Sequence, residues 1–145
     1  MNILIIGATS GIGHNLWKHY VSLGHNVIVA GRRRELLDDM ERSCPEHTLP
    51  VLCDISQTES FYNAWESIIH KHSRIDLAIV CAGIGELNPN LDVETELSTL
   101  SVNVMGWANA VASIYRVFER QKSGHLVTVT SVGGLQPLLR RRHCQ

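Results

Sequence analysis

The sequence predicts an α/β protein with a doubly wound parallel sheet of about five strands, on the basis of three observations. Short apolar runs, such as residues 27–30 and the aliphatic residues of the segment 2–5, are typical of strands buried on both faces of a sheet. Segments with helical periodicity separate these runs. A glycine-rich turn, residues 6–13, leads from the first run into the first helical segment. That arrangement begins a βαβ unit of the kind that binds nucleotides.

Length and composition fit a single soluble domain with its own core. The 145 residues are 44% hydrophobic and 19% charged, with a net charge of −1. We therefore expect a small-molecule ligand and neither nucleic acid nor a membrane as partner. No apolar run reaches the roughly 18 residues of a membrane span, and no secretory signal is evident, so we expect a cytoplasmic protein.

The four cysteines, Cys44, Cys53, Cys81 and Cys144, have no metal-ligand spacing. A domain of this size does not need disulfides for stability. We expect reduced thiols and no metal site. His70 and His72 support that expectation, because residues two apart on a helix point to different faces.

The glycine-rich turn carries Gly7, Gly11 and Gly13. Gly7 tolerates the positive φ with which a chain leaves a strand sharply. The absence of a Cβ at Gly11 lets the backbone approach a pyrophosphate, and Gly13 lets the next helix pack closely on the strand. An ordinary surface turn rich in small residues is the alternative interpretation.

A helical pattern follows this turn and is expected to stop near Gly24. Its apolar positions are Ile12, Leu16, Tyr20 and Leu23. The free N–H groups of the first helical turn and the helix dipole favour phosphate, and the hydroxyls of Thr9 and Ser10 can add hydrogen bonds. We therefore assign residues 9–13 and Gly7 to cofactor binding.

Positive charge follows the second predicted strand, at residues 31–34. An NAD-preferring site would place an acidic residue there, whereas a guanidinium can make two charge-assisted hydrogen bonds to a 2′-phosphate. Arg32 and Arg33 therefore favour NADP over NAD. The alternative is that the arginines begin a solvated helix, which is the preferred interpretation for Arg34.

A third strand, residues 49–53, ends at Asp54 and Ile55. The Asp54 carboxylate could accept a hydrogen bond from an adenine amino group, or it could start a cap for the helix that begins near Gln57. That helix, residues 58–72, has a predicted core face formed by Phe61, Trp65, Ile68 and Ile69.

A fourth strand, residues 75–80, leads into Cys81, Ala82 and Gly83, which are small enough for a close backbone approach to ribose. A long helix is predicted over residues 95–121. Its apolar face comprises Leu97, Leu100, Val104, Trp107, Val111, Ile114 and Phe118.

Two polar residues near the end of the chain are candidate site residues. Asn103 interrupts the apolar pattern of the long helix, as does Asn109, and Asn103 is either a buried polar anchor or a site residue. Ser131 ends a predicted fifth strand, residues 125–131. It would face the cofactor at the carboxyl edge of the sheet, unless it is only a turn residue before two glycines.

These motifs, in this order, resemble the short-chain dehydrogenase/reductase family over about residues 1–138. The family pattern T-G-x-x-x-G-I-G falls on residues 6–13, with Ile6 in place of threonine, and the N-A-G element falls on residues 81–83, with Cys81 in place of asparagine. Asp54, Asn103 and Ser131 match the acidic residue after strand three, the asparagine of V-N-x-x-G and the serine of strand five. The resemblance implies a Rossmann-like NAD(P)-binding domain in which Asn103 and Ser131 are catalytic.

The end of the sequence departs from the family pattern. The family's Y-x-x-x-K would place tyrosine near Cys144 and lysine beyond Gln145, and the sequence has neither. Residues 139–145 are basic and fit no continuation of the fold. We interpret the chain as truncated or frameshifted; a basic tail that binds RNA or a protein partner is the alternative.

The resemblance therefore implies an NADP(H)-dependent oxidoreductase acting on an alcohol or carbonyl substrate. Without tyrosine and lysine, the chain is expected to be inactive or nearly so, because general acid–base help is worth about 10² to 10⁴ in rate. A non-catalytic dinucleotide-binding module is the alternative. A sheet that stops at strand five would expose an apolar edge, which predicts poor solubility or self-association.

Overall fold

The computed structural model describes residues 1–72 and 74–131. A five-stranded parallel sheet of order β3-β2-β1-β4-β5 forms its centre, which confirms the predicted fold class. The strands are β1 (Asn2–Ile6), β2 (Asn26–Gly31), β3 (Thr48–Leu52), β4 (Leu77–Val80) and β5 (His125–Thr128). The helices are α1 (Gly11–Ser22), α2 (Arg34–Ser43), α3 (Thr58–Lys71), α4 (Val93–Leu100) and α5 (Trp107–Gln121), with a π-helical segment, Ser101–Gly106, between the last two.

The central strand β1 is buried on both faces. Leu4 and Ile6 belong to a core that includes Phe61 of α3 and Ile114 of α5. The alternate residues of β1 belong to a second core, on the side of α1 and α2, together with Trp17, Leu37 and Met40. Because successive strand residues point to opposite faces, an apolar run without alternation produces two cores, one on each side of the sheet.

The predicted apolar face of α1 is partly wrong. Ile12 and Leu23 are 58% and 57% exposed, whereas Trp17 is buried and its indole N–H donates to the Thr48 hydroxyl at 3.0 Å. The helix turns Gly13 and Trp17, four residues apart, towards the sheet. Helical spacing alone predicted a stripe rotated away from the true one. The helix stops as predicted, with Gly24 at φ +75°.

The long helix is longer and less uniform than predicted. It runs from Val93 to Gln121 and contains the π segment. Ile114 is buried and Val111 and Phe118 pack against the core, but Leu97, Leu100 and Val104 are half or more exposed. The carboxyl-terminal half of the helix therefore covers the sheet. The amino-terminal half carries apolar side chains that the described residues do not bury.

Two amide side chains attach this helix to the residues that flank β4. The Asn103 carboxamide accepts from the Ile84 N–H at 2.9 Å and donates to the Ile84 carbonyl at 2.7 Å. The Gln121 carboxamide accepts from the Ile75 N–H at 3.1 Å and donates to the Ile75 carbonyl at 2.9 Å. Each amide therefore satisfies both backbone groups of one residue, as a neighbouring strand would.

The fifth strand is shorter than predicted, because β4 ends. Thr128 pairs with Val80, and the Val129 N–H makes one further bond to the Val80 carbonyl, at 2.9 Å. Beyond Val80 the chain leaves the sheet, so β5 ends at Thr128 and does not extend to Ser131 as predicted. Ser131 lies three residues past β5 rather than at its end.

Other boundaries differ from prediction by small shifts. β3 begins at Thr48 instead of Leu49 and β4 at Leu77 instead of Ile75. Lys122, at φ +53°, ends α5 before the predicted stop at Gly124. The predicted core face of α3 is confirmed, with Phe61 and Ile68 buried.

Of the helices in the described ranges, none combines the length and apolar composition needed to cross a membrane. The predicted boundary between residues 138 and 139, and the basic tail, lie outside the described residues.

Replacing Gln121 by alanine should lower the free energy of unfolding by about 1–3 kcal/mol, because the Ile75 N–H and carbonyl lose their partner. Urea unfolding measures the change. Glu119→Ala, at an exposed position on the same helix, is the matched control and should have little effect. Equal losses in the two variants would contradict the proposed contribution of the amide.

Asp76 should contribute stability that depends on pH. The hydrogen bond from the Arg74 guanidinium, and then that from the Asn2 N–H at 2.9 Å, lower the pKa of the Asp76 carboxyl. A lowered folded-state pKa means that the contribution is present above the unfolded pKa of about 3.9 and is lost as the pH falls through the folded value.

Asp76→Asn should therefore unfold at lower urea concentration near neutral pH, and its deficit should shrink below about pH 3. Glu66→Gln, an exposed position on α3, is the control and should show no such pH dependence. A deficit that stays constant down to low pH would contradict this role of the carboxylate.

Candidate functional site

A cavity of about 520 Å³ opens at the carboxyl ends of the parallel strands. Residues that follow β1, β2, β3 and β4 all line it. In a sheet of order β3-β2-β1-β4-β5 the winding direction reverses between β1 and β4, and ligands of open α/β sheets bind at that position. The volume lies within the range of small-molecule pockets.

The residues predicted from sequence to bind a cofactor come together in this cavity. All of them line it: Gly7, Thr9, Ser10, Gly11, Ile12, Gly13, Arg32, Arg33, Asp54, Ile55, Cys81, Ala82 and Gly83. Ile6 and Gly31 also line it, within the ranges 6–13 and 31–33 that the sequence indicated. Sequence reasoning missed three further lining residues: Cys53, Ile84 and Val102. Each of these residues is next in sequence to a predicted site residue, and that position could have indicated it. Binding itself stays a prediction.

The two predicted catalytic residues do not line the cavity. The Asn103 side chain is hydrogen-bonded to the backbone of Ile84, a residue that does line the cavity. A Cβ at Gly83 would lie 3.5 Å from the Asn103 Oδ1 atom. Asn103 is therefore an anchor for the loop after β4, although an exposed one rather than a buried one. Ser131 is exposed beyond β5. Catalytic roles for both stay predictions.

Close backbone approaches around the glycine-rich turn explain two of its glycines. Gly7 has φ +91°, and a Cβ there would lie 2.5 Å from the Ala82 nitrogen. A Cβ at Gly13 would overlap the carbonyl oxygen of Gly7. These two glycines bring α1 and the residues after β4 against the turn, as predicted for Gly13.

Gly11 differs from its neighbours, because open space surrounds the position of its missing Cβ. It has φ +54° and lines the cavity. Its backbone is therefore accessible, as a cradle for a pyrophosphate requires.

The amino terminus of α1 is available to an anion. Ser10 is the N-cap residue, yet its side chain makes no capping hydrogen bond. The first N–H groups of a helix have no partner within the helix, and the dipole places partial positive charge there. In the cavity, therefore, residues 11–13 present N–H groups suited to phosphate.

The three arginines after β2 have three different environments. Arg33 donates to the Thr9 hydroxyl from Nε at 3.1 Å and from Nη2 at 2.7 Å, and to the Ser10 hydroxyl at 2.8 Å. Arg32 lines the cavity, and its side chain makes no hydrogen bond with any residue in the described ranges. Arg34 begins α2 and does not line the cavity, in agreement with its assignment to a solvated helix.

Asp54 stabilises the loop between β3 and α3. Its Oδ1 atom accepts from the Ser56 N–H at 2.9 Å and from the Ser56 hydroxyl at 2.7 Å. Gln57, not Asp54, is the N-cap of α3. The carboxylate thus forms a local turn before the helix, and it still lines the cavity.

Two cysteine thiols line the cavity. Burial, with a smaller effect of the neighbouring Asp54 carboxylate, raises the pKa of the Cys53 thiol to about 12. Burial also raises the pKa of Cys81. Both groups are protonated near neutral pH and supply small, weakly polar surface rather than a nucleophile. Within residues 1–72 and 74–131, no cluster of three or more His, Cys, Asp or Glu side chains could hold a metal.

The fold and the cavity together define a nucleotide-binding α/β domain. A family model described as short chain dehydrogenase matches residues 1–142, and the chain belongs to this family. The resemblance inferred from the motifs is thereby confirmed.

The chain is similar to several curated relatives. It is 28% identical over 144 residues to Dehydrogenase/reductase SDR family protein 7-like of Dictyostelium discoideum, covering 91% of this chain and 45% of that protein. It is 27% identical to Dehydrogenase/reductase SDR family member 7 of Mus musculus, covering 93% and 43%. The chain thus spans less than half the length of these two relatives.

Solved structures share the fold at low sequence identity. Serine dehydrogenase from Escherichia coli superposes with a TM-score of 0.87 at 23% identity, covering 94% of this chain and 65% of that one. The closed form of serine dehydrogenase complexed with NADP+ gives the same TM-score and identity, covering 94% and 56%.

Gly13→Ala should destabilise the protein more than Gly24→Ala does. At Gly24 the cost is that of a left-handed residue, about 1–2 kcal/mol, because the added Cβ enters open space. At Gly13 the Cβ overlaps a backbone oxygen that cannot move without shifting β1 or α1. Urea unfolding of the two variants measures the difference, and an equal or smaller loss for Gly13→Ala would show that the turn tolerates a wider spacing.

Proposed function

We propose that this chain binds NADP(H) in the cavity and belongs to an oxidoreductase that interconverts an alcohol and a carbonyl compound. The observation that carries the proposal is the position of Arg32. Arg32 lines the cavity directly after β2, and its side chain has no hydrogen-bonding partner in the described part of the chain. A 2′-phosphate would supply that partner.

Charge in the cavity supports NADP over NAD. Arg32, Arg33 and Asp54 are the charged residues among those that line it. The acidic one follows β3, so no carboxylate stands after β2, where an NAD-preferring site would use one to bind the ribose hydroxyls. The solved structure of serine dehydrogenase with the same fold is a complex with NADP+, which agrees with this choice.

Within this proposal, the chain's own residues bind and orient the cofactor. The nicotinamide would supply or accept a hydride, and a proton must also move to or from the substrate oxygen. The sequence contains no Tyr-x-x-x-Lys, since Tyr20, Tyr62 and Tyr115 are each followed four positions later by another residue. We retain Asn103 and Ser131 as proposed catalytic positions, and neither can replace a tyrosine acid.

The second candidate function is a dinucleotide-binding module that performs no chemistry. It shares the cavity and the cofactor with the first and differs in turnover only. The residues that line the cavity favour it, because none of them is a tyrosine and the Asn103 amide is bound to Ile84. We further propose a cytoplasmic location, supported by the free thiols of Cys44, Cys53 and Cys81, which suit a reducing compartment.

Arg32→Gln should weaken NADPH binding by about 10- to 100-fold and leave NADH binding nearly unchanged, because only NADPH carries the phosphate that the guanidinium would bind. Calorimetry with both cofactors measures the ratio. Arg34→Gln, which removes equal charge outside the cavity, is the matched control and should preserve both affinities. Parallel weakening of NADPH and NADH by Arg32→Gln would exclude a 2′-phosphate role.

Turnover separates the two candidate functions. The parent chain, saturated with NADPH, is mixed with a panel of aldehydes and ketones, and oxidation of the nicotinamide is followed by absorbance. Binding without oxidation is expected and supports the non-catalytic module for this chain. Steady oxidation with any member of the panel would show that another group donates the proton.

We also propose self-association through the outer edge of β5 with a second copy of the chain. In the described sheet β5 is the last strand, and its outward N–H groups belong to residues such as Thr128, because His125 and Val129 donate towards β4. Thr128→Pro removes an outward donor without removing a bond to β4.

Sedimentation velocity should show a concentration-dependent oligomer for the parent chain and a shift towards monomer for Thr128→Pro. The test also requires that the variant retain its cooperative unfolding. A parent chain that remains monomeric at every concentration would overturn the proposal.

A further inference from the structure

We infer that Arg33 is a positioning residue that prevents Ser10 from capping its own helix, and that it thereby supports pyrophosphate binding equally for NADPH and NADH. Arg32 alone would then discriminate between the two cofactors. The inference rests on the proposed function in that a dinucleotide is the ligand.

The contacts of Arg33 tie two segments together. Three of the five guanidinium N–H groups are directed at hydroxyls of the glycine-rich turn: Nε and Nη2 at Thr9, and Nη2 also at Ser10. All three donor–acceptor distances lie between 2.7 and 3.1 Å. Arg33 itself is the N-cap residue of α2. The start of α2 is therefore fastened to the turn that precedes α1.

Ser10 occupies a position at which serine normally caps a helix. It has extended backbone angles, φ −161° and ψ 169°, as N-cap residues do, and serine is among the preferred N-caps. Its hydroxyl would ordinarily accept from an N–H of the first turn. Here the hydroxyl accepts from Arg33 and makes no capping bond, so those N–H groups stay available.

Arg32, the neighbour of Arg33, is placed for a different task. The backbone at Arg33 is extended, with φ −100° and ψ 94°. Because neighbouring side chains of extended backbone point to opposite sides, Arg32 is directed away from the hydroxyls that bind Arg33. The hydroxyls that bind Arg33 are neutral, so its charge is not cancelled and adds to the positive potential of the turn. That potential acts on a pyrophosphate, which both cofactors carry.

Removing Arg33 should therefore release the Ser10 hydroxyl to cap α1 and to compete with the ligand. Arg33→Gln is expected to weaken NADPH and NADH by the same factor, about tenfold, with their affinity ratio unchanged. Adding Ser10→Ala to Arg33→Gln should recover part of the loss for both, because alanine cannot cap. Arg34→Gln is the control that removes charge outside the cavity.

Calorimetric titration of these variants decides the assignment. A selective loss of NADPH in Arg33→Gln would make Arg33 a direct phosphate ligand and overturn the inference. So would unchanged affinities for both cofactors. A further loss, or no recovery, on adding Ser10→Ala would overturn the competition between Ser10 and the ligand.

Amide hydrogen exchange without any cofactor gives an independent readout. In Arg33→Gln, exchange of the N–H groups of Ile12 and Gly13 should slow, because the freed Ser10 hydroxyl accepts from one of them. Arg32→Gln should leave this exchange unchanged. If the parent chain binds no dinucleotide, the proposed function fails while the exchange result still tests the contact. Unchanged or faster exchange in Arg33→Gln overturns the inference itself.

Discussion

The cavity depends on two close approaches of backbone to backbone, which share Gly7. Gly7, at the end of β1, lies against Ala82, and Gly13, in the first turn of α1, lies against the Gly7 carbonyl. No side chain separates these three segments. The absence of two Cβ atoms therefore brings the turn, the helix and the loop after β4 to one point. The many small dispersion contacts of a close-packed interior then stabilise the arrangement.

The long helix is matched to β4 by its two amide clamps. Asn103 and Gln121 are eighteen positions apart, and they bind Ile84 and Ile75, which are nine apart. A helix rises about 1.5 Å per residue and a strand about 3.3 Å, so the two spans are nearly equal, at roughly 27 and 30 Å. The helix thus fixes the direction in which the chain enters and leaves β4, and with it one wall of the cavity.

Much of the fold and of the cavity could be predicted because they depend on local features. Apolar runs without alternation identify strands buried on both faces, and glycines after such a run identify the turn, so the lining residues follow from their place after each strand. The exposure of individual apolar side chains could not be predicted in this way, because it depends on where each helix lies over the sheet. Ile12 and Leu97 have helical spacing, but the sheet reaches neither of them.

Other errors came from long-range partners that a local pattern does not contain. The fifth strand stops where β4 stops, a limit set by residues almost fifty positions away. Asn103 gave no indication in the sequence that a backbone residue at Ile84 would take both of its polar groups. The three contacts of Arg33 likewise became visible only when Thr9 and Ser10 were placed beside it.

The strand order also determines when the sheet can form as the chain is made. β1 is synthesised before the other described strands, yet one of its two partners, β4, begins only at Leu77. Until then the edge of β1 that pairs with β4 has no strand beside it. Closing so long a loop must precede the contacts that reward it, which slows folding of parallel sheets. Among the described strands, the fully buried residues Ile3, Leu4 and Ile5 of β1 therefore wait longest for a neighbour, and the nascent chain is exposed to aggregation during that interval.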